Sequence, residues 1–113
     1  MENCIFCKIA AGEIPSTKVY EDDEVMAFND LNPQAPVHVL IIPKKHYTSI
    51  LDIEADGAPM GHICRVAKQL AKELGVDEKG FRLVINTGDD GGQTVKHLHM
   101  HLTGGRFFGW PAG

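Results

Sequence analysis

Three of the chain's six histidines fall in one short stretch, HLHMHL at positions 97–102, each separated from the next by a single apolar residue. Successive side chains of an extended chain point to opposite faces. His97, His99 and His101 would therefore share one face, and Leu98, Met100 and Leu102 the other. A helix, at roughly 100° per residue, would scatter the rings over about 200° of its surface. The pattern predicts a strand with one core face and one imidazole face. A lone histidine on a half-buried strand is usually a satisfied side chain without a chemical role. Three in strict alternation sit about 6.5–7 Å apart, at twice the strand rise, and would repel one another if all were protonated. Repulsion favours neutral rings, and a neutral imidazole near pH 7 is a nucleophile, a general base or a metal ligand.

Two other groups of residues carry chemistry. Cys4 and Cys7 form a CxxC near the N-terminus. A thioredoxin-like redox pair would follow a strand and open a helix, and no strand fits within three residues, so metal binding is the leading reading. Closing a tetrahedral site then needs two further ligands from elsewhere in the chain. The third cysteine, Cys64, falls within a helical pattern and reads as a small buried residue. The loop TGDDGGQT at 87–94 runs straight into the histidines. Glycine-rich loops are usually flexible connections, but such a backbone can also approach an anion closely and turn its amides toward it. Gly92, Gln93 and Thr94 would then place donors beside imidazoles, which suits a phosphoryl oxygen and its attacker. The phosphate-binding lysine loop GxxxxGK[ST] is absent, which argues against a P-loop nucleotidase. Nucleophilic attack by histidine on phosphorus is the sharper idea.

The elements that must position these residues follow from periodicity and breakers. TKVYED and EVMAFND read as a hairpin; VHVLIIP at 37–43, rich in β-branched residues and stopped by Pro43, is the most strand-like run; FRLVIN at 81–86 is a fourth strand. Met60, Ile63, Ala67, Leu70 and Leu74 recur at three- and four-residue steps, with Lys68, Lys72 and Glu73 turned to solvent, and Gly75 follows as a stop. The order strand, strand, strand, helix, strand, strand predicts an α+β fold with a mostly antiparallel sheet, one face of which the long helix covers. At 113 residues the chain is read as one domain, 1–113. A composition of 43% hydrophobic and 23% charged residues is that of an ordinary soluble protein. Eleven Lys and Arg against 15 acids, a net charge of −4, argue against a broad nucleic-acid footprint, so any phosphate site is expected to be local. The opening MENCIFCKIA lacks the basic and apolar regions of a signal peptide, and no segment approaches the ~18–20 apolar residues of a membrane span. A cytoplasmic location is expected.

HLHMHLTGG matches the His-φ-His-φ-His-φ-φ signature (φ apolar) of the histidine triad (HIT) family, with Thr103 at the weak final position. The stretches IFCKIAAGEIPSTKVYEDDEVMAFNDLNPQAPVHVLIIPKKH and INTGDDGGQTVKHLHMHLTGGR, with the terminal WPAG, resemble its Hint branch, the histidine-triad nucleotide-binding proteins. The resemblance implies a five-stranded HIT-like sheet with one long helix and a short N-terminal helix. It implies that His99 attacks the α-phosphorus of a purine nucleoside 5′-phosphoramidate, forming a nucleotidyl-histidine later hydrolysed to the monophosphate. By the same resemblance, His101 contacts the phosphate and leaving-group side, His38 supports the triad by hydrogen bonding, and Asn86 with the Gly92–Thr94 loop holds the phosphate. Asp30 would bind the ribose hydroxyls, with Phe28 and Leu31 near the base. Family members are typically homodimers, and Trp110 would lie close to the partner subunit's site. Thr94 stands where better-known relatives carry serine near the leaving group; threonine keeps the hydroxyl but stiffens the rotamer. Several microbial members share the CxxC, and by that resemblance Cys4, Cys7, His46 and His97 would hold a structural zinc, leaving His99 and His101 for chemistry. Two rivals stand beside the phosphoramidase: the family's dinucleoside polyphosphate hydrolases, disfavoured by GGQT and WPAG, and a purine-nucleotide-binding scaffold with incidental turnover.

Overall fold

The structure, a computed structural model, describes residues 3–113. The elements run α1 (Ile5–Ala10), β1 (Lys18–Glu21), β2 (Val25–Asn29), β3 (Val37–Pro43), α2 (Met60–Glu73), β4 (Phe81–Val84) and β5 (Met100–Gly104), with a turn of 3₁₀ helix at Ile50–Asp52. All neighbouring strands are antiparallel, in the order β1-β2-β3-β5-β4. This is the α+β, HIT-like architecture expected from the sequence. Among the described residues no helix is long and apolar enough to cross a membrane.

β3 lies at the centre of the sheet, and its near-continuous apolar run reflects burial on both faces. Val39 and Ile41 point to one side, where they meet Leu98, Met100 and Leu102 and the face of α2 formed by Ile63, Val66, Ala67, Leu70 and Ala71. Gly75, with φ of +73°, takes the left-handed conformation that ends the helix without a Cβ penalty. Leu40 and Ile42 point to the other side and pack with Met26 and Phe28 against Phe6 and Ile9 of α1. The short helix therefore covers part of the imidazole face, and the remainder stays open.

Two expectations are corrected. The ladder of the histidine strand begins at Met100 rather than His97, because the Leu98 N–H donates to the Tyr47 carbonyl (2.7 Å) outside the sheet. For the same reason β4 ends at Val84: the partner strand has turned away beyond the Val84–His101 pair. Cys64 is exposed rather than buried, since it lies on the flank of the buried face of α2.

Candidate active site and metal centre

Although His97 and His99 precede the ladder, the alternation holds. Leu98, Met100 and Leu102 enter the core under α2, and the three imidazoles lie on the α1 side, where Phe6 meets His97 and His99 edge-on. The hydrogen bonds assign a separate tautomer to each ring. His99 Nδ1 lies 2.7 Å from the His97 carbonyl, so Nδ1 carries the proton and Nε2 keeps a free lone pair. His38 Nδ1 accepts the Gln34 backbone N–H (3.0 Å), which puts its proton on Nε2, and that N–H donates to His101 Nδ1 (2.9 Å). His101 consequently carries its own proton on Nε2. A chain of three donors thus ends on the His101 ring, whose centroid lies 5.1 Å from that of His99. Burial, rather than the mutual repulsion expected from spacing, is the main cause of neutrality: it lowers the pKa of His99 and pushes His101 down to about 4, with His99 and His38 contributing and the Asp30 carboxylate opposing.

These two rings open onto a cavity of about 280 Å³. Phe28, Asp30, Leu31 and Thr94 also line it, as do Ile5, Phe6 and Ile9 of α1. Asp30 accepts the Asn32 N–H and lies 3.5 Å from His38 Nε2; Leu31 is almost fully exposed at the rim. His38 stands behind His101 and is buried. Other expected residues are elsewhere. Gln93 is buried and its side chain ties the loop together, donating to the Thr48 and Val95 carbonyls (2.7 and 3.0 Å) and accepting the Gly88 N–H. Any phosphate contact there falls to the backbone, at Gly92 with its φ of +78° and at the exposed Thr94. Asn86 lies two residues past the end of β4, half-buried, and Trp110 is exposed in the C-terminal segment; neither lines the cavity.

The cysteine pair comes together with the two expected histidines. Cys4 caps α1, its Sγ accepting the Cys7 N–H. Cys4 Sγ lies 3.2 Å and Cys7 Sγ 3.5 Å from His97 Nδ1, and Cys7 Sγ lies 3.3 Å from His46 Nδ1. A tetrahedron with zinc–ligand lengths of ~2.0–2.3 Å has edges of about 3.5 Å, so the set needs only small adjustment to close on zinc. His97 donates its Nε2–H to the Pro43 carbonyl (2.8 Å), which fixes the ring and leaves Nδ1 as a lone pair aimed at the thiols, as a metal ligand requires. Burial first, and Cys4 second, push the Cys7 thiol up, so two thiolates are disfavoured there without a cation. Asp30, His38 and His101 also lie close enough together to suggest a metal. That group does not fit one, because the His38 nitrogen facing its neighbours is an N–H, fixed by Gln34 on the far side of the ring.

The model of the HIT domain matches residues 11–108. The chain belongs to the HIT family. A solved HIT family hydrolase from Legionella pneumophila is 53% identical and superposes with a TM-score of 0.95 over 98% of this chain and 100% of that one. A histidine triad nucleotide-binding protein from Candida albicans is 40% identical, with a TM-score of 0.83 over 98% of this chain and 85% of that one. A 14 kDa zinc-binding protein of Brassica juncea is 51% identical over 112 residues, 96% of this chain and 98% of its own length. Within this HIT chain, sequence reasoning missed three contributors: Gln34 and Pro43, which act through backbone groups, and Phe6, whose apolar type carries no chemical signal.

Proposed function

We propose that this protein is a nucleotide hydrolase of the Hint type, cleaving the P–N bond of purine nucleoside 5′-phosphoramidates. One observation carries the reading: the His97 carbonyl holds His99 Nδ1–H, which leaves the Nε2 lone pair free on a ring that lines the cavity together with His101, whose proton is on Nε2. His99 Nε2 attacks the α-phosphorus and the P–N bond breaks. The amine leaves with a proton relayed from solvent through the Thr94 hydroxyl at the cavity wall, while His101 donates to a phosphoryl oxygen. Water then attacks the phosphorus and returns one proton to solvent, the P–Nε2 bond breaks, and the nucleoside monophosphate departs. Asp30 receives the ribose hydroxyls, Phe28 and Leu31 flank the base, and the Gly92–Thr94 backbone holds the phosphate. The likeness to a HIT family hydrolase and to a nucleotide-binding protein of the same fold supports both halves of this reading. Zinc on Cys4, Cys7, His46 and His97 supplies a structural cross-link when bound; with four protein ligands it has no open position for substrate. A homodimer completes the proposal: β4 is an outer strand with half-exposed Phe81 and Leu83, and a second copy on that side would bring its Trp110 toward the site.

The test is release of a fluorescent amine from an adenosine 5′-phosphoramidate by the wild type and by His99→Ala, with AMP binding checked in both. Turnover that falls at least ~10³-fold in a variant still binding AMP is the expected result. No turnover by a wild type that binds AMP tightly would leave a nucleotide-binding module instead of an enzyme.

A further inference from the structure

The metal cluster and the nucleotide cavity share a wall. Helix α1 holds Cys4 as its cap and Cys7 in its second half-turn, and between them Phe6 faces inward, buried. Its ring meets His97 at 5.9 Å and His99 at 5.1 Å between centroids, at 75° and 83°, so one aromatic edge-packs on a metal ligand and on the reacting histidine together. Ile5, Phe6 and Ile9 line the nucleotide cavity. Among the described residues, the only hydrogen bonds from the Cys4–Ala10 segment to distant parts of the molecule are those of the two thiols with His46 and His97. The wall is thus tethered, apart from apolar packing, by the metal ligands alone. A second link runs through the backbone, since the carbonyl that orients His99 belongs to His97 itself.

We propose that metal occupancy and nucleotide binding are energetically coupled, with Phe6 as the positioning residue between the two sites. This rests on the nucleotide reading given above. With zinc bound, α1 is fixed and the cavity wall is preformed; without it, the nucleotide must order the helix at its own expense, and its affinity falls. Linkage requires the reverse effect to be equal, so that nucleotide tightens zinc by the same factor.

AMP is titrated calorimetrically into the zinc-loaded protein, into protein stripped by chelator and shown by circular dichroism to stay folded, and into stripped protein reloaded with zinc. In parallel, zinc transfer from the loaded protein to a chromogenic chelator is followed at equilibrium with and without saturating AMP. The expected result is an AMP affinity at least tenfold weaker in the stripped protein, restored by zinc, and a zinc affinity raised by AMP through the same factor. AMP affinities within twofold of each other, or zinc transfer indifferent to AMP, overturn the coupling while leaving the nucleotide reading intact. If stripping unfolds the chain, the transfer arm on the loaded protein decides alone. No AMP binding by the loaded protein overturns the nucleotide reading, and the coupling with it. Phe6→Leu keeps most of the apolar volume but not the ring edges. It should still bind one zinc while the coupling factor drops below threefold, an outcome that a role in packing alone would not produce; an unchanged factor removes Phe6 from the path.

Discussion

Acid is the perturbation that reports most directly on the buried imidazoles, and His101 is the cleanest of them because it lies outside the metal cluster. Burial pushes its pKa down to about 4 in the folded protein, against about 6.5 in an unfolded chain. The sign follows from proton counts. Between these two values the unfolded state binds a proton at this ring that the folded state refuses, so stability rises with pH across the window. The contribution is complete above about pH 6.5, declines as pH falls toward 4, and is constant below. At pH 5 the two titration curves differ by about 2 kcal/mol for this one ring, a large part of the ~5–15 kcal/mol that a domain possesses. The depressed carboxylates do not obscure the window. Glu21, held at about 2 by hydrogen bonds from Lys18 and Lys44, and Asp22, held low by Tyr20, His62 and two backbone N–H groups against the cost of burial, lose their contributions only once pH drops through the range of a free carboxylate. Urea unfolding at pH 7.5 and pH 5, with zinc present throughout, should show the wild type losing about 2 kcal/mol more than His101→Gln over the same interval. Groups that do not touch His101 titrate alike in the two proteins and subtract out. Equal losses in wild type and variant would refute the claim that burial keeps this ring neutral.

Two further outcomes separate positioning from chemistry. His38→Ala removes the partner that fixes the His101 tautomer, yet leaves His99 and its carbonyl acceptor in place; amine release should fall only about tenfold, the value of one hydrogen bond of ~1–1.5 kcal/mol, and a loss of 10³ or more would make His38 a direct participant. Gln93→Ala deletes three buried hydrogen bonds that hold the loop before the triad, so thermal unfolding should show a loss of about 2–3 kcal/mol together with weaker AMP binding; a stable variant with unchanged AMP affinity would show that the loop is held by other means.

The features that could be read in the sequence were those set by periodicity. Period two placed Leu98, Met100 and Leu102 under α2 and the imidazoles opposite them, and period 3.6 gave α2 its buried face. The run from Val37 to Pro43 matched β3 because a central strand buried on both faces leaves an unbroken apolar signature. Local boundaries were less legible. The late start of β5 depends on one bond from Leu98 to Tyr47, about fifty residues away in the chain, and no local pattern encodes it. Cys64 was misplaced for a related reason: on the flank of a helix, burial is decided by how far the sheet reaches, which is a tertiary fact. The side-chain identities of the cavity were legible only as types. That Gln93 turns inward to staple its loop follows from the positions of the Thr48 and Val95 carbonyls.

The same limit explains how three identical residues at identical spacing acquire different chemistry. Alternation delivers three imidazoles to one face, but it does not say which nitrogen of each is free. That choice belongs to acceptors and donors on other segments: the Pro43 carbonyl takes the Nε2–H of His97 and frees Nδ1 toward the thiols; the His97 carbonyl takes the Nδ1–H of His99 and frees Nε2 toward the cavity; and His38, set by the Gln34 amide, leaves His101 with a proton to give. On the function proposed above, one ring then serves as a ligand, one as a nucleophile and one as a donor. Since each choice is made by a backbone group or by a ring that a backbone group orients, side-chain substitutions around the triad can alter rates and affinities. Converting one role into another would require moving the chain at Pro43, His97 or Gln34.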